Sequence, residues 1–301
     1  MPSRTIRLFA LLAAAVAAAA CFSGTEEAKK LRDACEAGDA RACHAFAVKL
    51  EKGEYVLQDR PRAAAIFDST CADGVGESCG SLGAMVLFGQ GGMKQDTARA
   101  LELFTQGCNR GGMHACGRLG IAYRTGAGIP PDPPRAVTLF RHACDGGDRV
   151  SCALLGEMLA GGEGAARDLN RAVELFRNSC DSTVSRGCVG LGRLHLSGEG
   201  VARSDSLAAA LFTQSCGKTG HKDGCFDLAG LVETGRGVPQ NFNRAASLYL
   251  AACKEKNGAA CLNAAKLYQS LYRDSSYAAK LRKQGCEYGA VEACPKPKGG
   301  A

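Results

Sequence analysis

The chain has 301 residues, a net charge of +7, 46% hydrophobic residues and seventeen cysteines, with no tryptophan. Its positive charge is dispersed and its aromatic content is only 6%, which argues against a nucleic-acid partner that needs a basic patch and stacking platforms. Seventeen cysteines do not suit a reducing cytosol, and their main spacing, seven intervening residues, is too wide for ordinary zinc pairs.

The N-terminus reads as an export signal. Arg4 and Arg7 supply positive charge, and Leu8 to Ala20 is an apolar run too short for an ordinary membrane span. Ala18-Ala19-Ala20-Cys21 then resembles a bacterial lipobox, although leucine is more usual where Ala18 stands. Residues 1–20 are expected to be a lipoprotein-type signal peptide, and residues 21–24 a lipidated N-terminus and linker. Ordinary cleavage after Ala20 would instead leave Cys21 a free thiol.

From residue 25 onward one pattern recurs. A cysteine, seven or eight residues and a second cysteine appear eight times: Cys35/Cys43, Cys71/Cys79, Cys108/Cys116, Cys144/Cys152, Cys180/Cys188, Cys216/Cys225, Cys253/Cys261 and Cys286/Cys294. The first cysteines advance by 33 to 37 residues, the period of a solenoid array rather than of domains with central cores. Only Cys21 has no partner in this ladder.

With each second cysteine as position zero, leucine or phenylalanine stands at +3 and glycine or alanine at +4, as in Leu119-Gly120 and Leu155-Gly156. Further apolar residues follow at +6 or +7, which is helical spacing with a small residue for close approach. Glycine at +10 (Gly53, Gly89, Gly126, Gly162, Gly198, Gly235) ends this helix A. A capping residue (Asp59, Asp96, Asp132, Asp168, Ser204, Asn241) then opens a helix B that reads Arg-Ala-x-x-Leu-Phe, as in Arg135 to Phe140. The next ladder cysteine follows the ring by four residues. Each pair therefore straddles the turn from helix B to the next helix A, and paired cysteines in an exported chain read as disulfides between consecutive helices.

The ends deviate. Residues 25–37 form a lone B-like helix. Leu271-Tyr272-Arg273-Asp274 replaces the last glycine loop, and the final Cys286/Cys294 pair clamps a stub before a tail, 295–301, expected to be disordered.

The pattern Leu-Gly, Gly-x-Gly-Val, an Asp/Asn cap, Arg-Ala-x-x-Leu-Phe and Ala-Cys resembles Sel1-like repeats, relatives of the tetratricopeptide repeat. Its cysteine ladder is similar to the secreted cysteine-rich subfamily of Helicobacter. The resemblance covers residues 25–294 and implies an all-α, right-handed α/α superhelical solenoid of about seven repeats. It also implies that helix A lines a concave face. Positions +2, +5 and +9 vary between repeats and would face that groove; they include Phe88, Arg118, Ile121, Leu154, Glu157, Arg193, Asp227, Asn263 and Lys266. A protein or peptide is the expected partner, peptidoglycan a further candidate, and the membrane would be reached through a lipid anchor only. The expected protein is a monomer in the periplasm or at the outer membrane, or else secreted. No cofactor and no metal are expected.

The same subfamily carries a β-lactamase or penicillin-binding label, which implies a hydrolase as the alternative. The letters exist: Ser215-Cys-Gly-Lys218 overlaps Lys218-Thr-Gly220, and Gly76-Glu-Ser78-Cys-Gly80 spells a nucleophile elbow. One lysine cannot serve in both β-lactamase motifs, and an elbow requires a strand before its serine. The five histidines fall at five different repeat positions and read as surface or turn residues, so no catalytic residue is assigned.

Overall fold

The computed structural model describes residues 24–181, 184–219 and 221–294. The expected signal peptide, Cys21, the 295–301 tail and Gly220 lie outside the described residues. All regular structure among the described residues is helical. Helix α1 covers residues 24–36. The A helices are α2 (Ala40–Lys52), α4 (Gly76–Phe88), α6 (Met113–Thr125), α8 (Arg149–Gly161), α10 (Ser185–Ser197), α12 (Lys222–Thr234) and α14 (Gly258–Ser270). The B helices are α3 (Arg60–Ala72), α5 (Thr97–Asn109), α7 (Pro133–Asp145), α9 (Leu169–Ser179), α11 (Asp205–Thr219), α13 (Phe242–Lys254) and α15 (Ser275–Glu287). One 3-10 turn, Val291–Ala293, follows.

The chain divides into two compact units, Met1–Asp148 and Arg149–Ala301. Within each, helix A packs on its own helix B, helix B on the next helix A, and successive A helices against one another. Each unit is thus a stack of α/α pairs in which no single helix buries its apolar stripe alone.

The packing centres on one aromatic ring per repeat. Phe67, Phe104, Phe140, Phe176 and Phe212 are all at most 2% exposed, and the alanine four residues before each is fully buried. The ring lies over the +4 glycine of its own helix A. A Cβ on Gly83, Gly120 or Gly156 would come within 2.8 Å of the facing ring carbon. A helix interior normally disfavours glycine by about 1 kcal/mol; here the missing methyl makes the room that the ring fills.

The loops obey backbone chemistry. Gly126 closes α6 at φ 74°, and Gly128, two residues on, takes φ 79°, values that favour glycine. Asp59, Asp96, Asp132 and Asp168 each accept a hydrogen bond from the backbone N–H three residues on, and Ser204 and Asn241 do the same.

Seven disulfides join each helix B end to the start of the next helix A or, at the C-terminus, to the 3-10 turn, with Cα–Cα distances of 4.4–4.8 Å. Cys144 of the first unit and Cys152 of the second are each disulfide-bonded too. Closing so short a loop stabilises by about 2–3 kcal/mol in the chain-entropy view. Cys79, Cys116, Cys188 and Cys261 are fully buried, whereas Cys43 and Cys294, in the two terminal rungs, are only half-buried.

Two outcomes are expected. Gly120→Val drives a methyl into the Phe140 ring and should cost about 1–3 kcal/mol in urea unfolding. Phe140→Leu in the same chain should recover part of that loss, because the two sites touch; strictly additive losses would show that the ring does not demand the glycine. Under graded reductant with alkylation and mass spectrometry, Cys35–Cys43 and Cys286–Cys294 should open first, since exposed disulfides exchange fastest.

Candidate functional site: the helix A face

On a helix, residues three and four apart share a face. Positions −2, +2 and +5 therefore form one stripe along each helix A. In the second unit this stripe is charged. Glu157 at +5 of α8 accepts from Arg186 at −2 of α10 at 2.9 Å. Arg193 at +5 of α10 donates to Asp227 at +2 of α12 at 2.7 Å. The Asn257 amide, at the cap of α14, donates to Asp223 at 3.3 Å, and the Lys266 ammonium donates to Asn263 at 3.3 Å. Each cross-helix contact joins one repeat to the next, so the charges form a row fixed by stacking.

Burial shapes this row. The Asp227 carboxylate is the sequestered member, with 15% of its side chain exposed against 54% for Arg193. Burial pushes Asp227 up from the ordinary carboxylate range, with Arg193 opposing. Burial also pulls on Arg193, but the charges of Asp227, Asp223 and Glu157 outweigh it, and the guanidinium is held above its usual value. Both shifts are upward, but they act oppositely on charge: the more deeply set carboxylate is pushed towards its neutral form, and the guanidinium is held in its charged form. Tyr249 donates to Glu233 at 2.7 Å; burial, then that hydrogen bond, pushes the phenol well up.

The first unit presents a different stripe. Phe88 is 59% exposed, and Ile121 and Arg118 are half-buried. Leu154, expected in the groove, is 6% exposed; it is a packing residue, because its apolar side chain is turned into the core. Of the expected residues, the structure brings Glu157, Arg193, Asp227, Asn263 and Lys266 onto one face. Arg186 and Asp223 escaped the sequence reading because it scored +2, +5 and +9 but not −2.

Two histidines are partly buried: His44 within α2, away from the turns, and His221 in the turn before α12, where a turn residue was expected. His44 Nδ1 lies 3.0 Å from Ser78 Oγ, which is 2.7 Å from Thr70 Oγ1. This is the distance of a nucleophile and its base, but Ser78 is fully buried and sits in the first turns of α4 with helix on both sides. The strand of a nucleophile elbow is missing there. Ser215 is also fully buried, packed where a methyl on Gly224 would collide with its oxygen. His221 caps α12 without a side-chain cap bond, and its Nδ1 has no hydrogen-bond partner. Among the described residues no three His, Cys, Asp or Glu side chains are grouped to hold a metal.

Paired helices of fixed period, ring-filled glycine notches and a variable face define an α/α repeat array. The chain belongs to the Sel1 repeat family, which matches residues 76–112, 114–148, 149–183, 185–218 and 222–257. Comparison with curated proteins returns no match. Among solved structures, a Sel1 repeat protein from Oxalobacter formigenes is similar at TM-score 0.67 and 16% identity, over 86% of this chain and 99% of that one. The c5321 protective antigen of uropathogenic Escherichia coli, described as displaying an SLR fold, is similar at TM-score 0.59 and 23% identity, over 88% of this chain. This chain spans 57% of that antigen's length. Helicobacter pylori cysteine rich protein B matches 41% of this chain and 87% of its own at 20% identity and TM-score 0.33. The likenesses to the Oxalobacter protein and the c5321 antigen show the fold.

Burial, first of all, lowers the proton affinity of His44 and His221 below the ordinary 6.5, with nearby carboxylates opposing. The unfolded chain therefore binds more protons as pH falls through 6.5, and stability falls with it. The thermal midpoint is expected to drop between about pH 7.5 and pH 5.5, and the His44→Gln/His221→Gln double variant to flatten the drop. An unchanged drop in that variant would assign it to other groups.

Proposed function

We propose that the protein is an exported, non-catalytic scaffold that binds a protein or peptide through the helix A face of its second unit. The observation that carries this reading is the fixed charge row: Arg186 on Glu157 and Arg193 on Asp227, each held across a repeat junction. Polar groups preset on a rigid array lose little freedom on binding, which favours recognition of a complementary polar segment. The disulfides support an oxidising, extracytoplasmic compartment. Among the described residues no helix is long and apolar enough to cross a membrane; attachment to the envelope would run through a lipid on Cys21. Peptidoglycan is the other partner to test, and the protein is read as a monomer. The burial of Ser78 and Ser215 supports the non-catalytic reading.

Crosslinking in native envelopes is the direct test. Wild-type protein and a Glu174→Lys variant, altered on helix B α9 rather than on a helix A, should capture the same partner. Arg193→Glu/Asp227→Lys should lose it, and equal capture by all three would overturn the site. Nitrocefin should be hydrolysed no faster than in buffer; turnover that Ser215→Ala abolishes would overturn the non-catalytic reading. Cys21→Ser should shift the protein out of the membrane fraction.

A further inference from the structure

The C-terminal end of the second unit carries an open pocket of about 960 Å3. Its floor includes Leu262 and Ala279, and its rim Lys266, Arg282 and Lys283. The repeat explains its shape. At the α4–α5–α6 junction, Ala115 at −1 of α6 packs where a Cβ on Gly107 would lie 2.8 Å from it. At the end of the array, Ala293 holds the same place over Gly285, at 3.1 Å. The 3-10 turn thus supplies the first residues of a helix A and nothing of its +3 to +7 positions, where earlier repeats bury apolar residues such as Leu119, Leu155 and Leu228. Residues 295–301, Pro-Lys-Pro-Lys-Gly-Gly-Ala, contain no leucine or aromatic side chain for that role.

Charge specifies the occupant. At two junctions of this unit the +5 residue of one helix A pairs with −2 or +2 of the next: Glu157 with Arg186, and Arg193 with Asp227. Lys266 is the +5 residue of α14. It, Arg282 and Lys283 make no ion pair among the described residues, although Glu287 and Glu292 also line the pocket. We propose that this end is a docking socket for an acidic amphipathic helix of a partner protein, lying where a next helix A would lie, with a carboxylate against Lys266. Recognition is of the helix-in-groove kind, with apolar anchors three and four residues apart. The socket is separate from the helix A face proposed above, apart from Lys266 at their border.

The chain's own helices provide probes. A fluorescein-labelled peptide of residues 222–234 with Cys225→Ser carries carboxylates at −2 and +2; the 185–197 peptide with Cys188→Ser is its basic counterpart. By anisotropy against the full oxidised protein, the acidic peptide should bind at least about tenfold tighter than the basic one, and Lys266→Glu or Lys283→Glu should reverse that preference. Ala279 is exposed, so Ala279→Arg fills the socket without disturbing the core and should abolish binding. Arg193→Glu should leave it intact. No binding, equal binding of both peptides, or binding that survives Ala279→Arg but not Arg193→Glu would overturn the proposal. Self-association in sedimentation that Ala279→Arg abolishes would also overturn it, by assigning the socket to a second copy.

Discussion

The contact on which the rest depends is an aromatic ring lying in a notch made by glycine. Helix A and helix B of one repeat approach closely because Gly120 has no methyl to meet Phe140. That closeness sets the angle at which the next helix A arrives, and so where the −2, +2 and +5 residues of neighbouring repeats meet. From α2–α3 to α12–α13 the contact accepts little variation, glycine or alanine at +4 and phenylalanine or tyrosine on helix B; only the last pair departs, with Arg282 at the ring position of α15. Ala229 opposite Tyr249 is the loosest version, and there the phenol must find Glu233 to be buried at all. A buried hydroxyl without a partner would cost about 1–3 kcal/mol.

The same notch explains why the chain needs its disulfides. Glycine and alanine fill much of each interface, and they bury little apolar area for the backbone entropy they lose. A core built from one ring and a few leucines per repeat is lean. The rungs offset this at the one place where the notch gives no help, the turn from helix B to the next helix A. The second cysteine of each interior rung is buried and so adds packing as well as a covalent link. Because each rung is local, stability accrues repeat by repeat.

Most of the fold was legible because one constraint recurs at a fixed period. The helices, caps, loop glycines and disulfide partners repeat in register, and each copy corroborates the others. The site was legible only in part, for a physical reason. Arg186 and Glu157 are 29 residues apart and Arg193 and Asp227 are 34 apart; stacking makes them neighbours, and no periodicity within one helix shows it. His44 meets Ser78 the same way, over 34 residues. Leu154 shows the opposite failure: its register position is variable, yet an apolar side chain there turns inward when packing offers room. Variability across repeats marks freedom from the notch and the rungs, not exposure.

That freedom is what separates scaffold from recognition here. The ring, the glycine and the cysteines occupy +4, helix B and the turns; apart from the buried Leu154, the stripe at −2, +2 and +5 stands outside them. The first unit carries Ile121 on the stripe and Phe88 one turn beyond it at +9, the second alternating charge. Two surfaces of unlike chemistry therefore stand on one repeated frame, and each can change without unfolding the other. An exposed ion pair adds about 1 kcal/mol or less to stability, so Arg193 on Asp227 is poorly explained as a staple beside eight disulfide rungs of about 2–3 kcal/mol each. The pair fixes a pattern of charge at a chosen place, and a pattern of charge matters to whatever reads it.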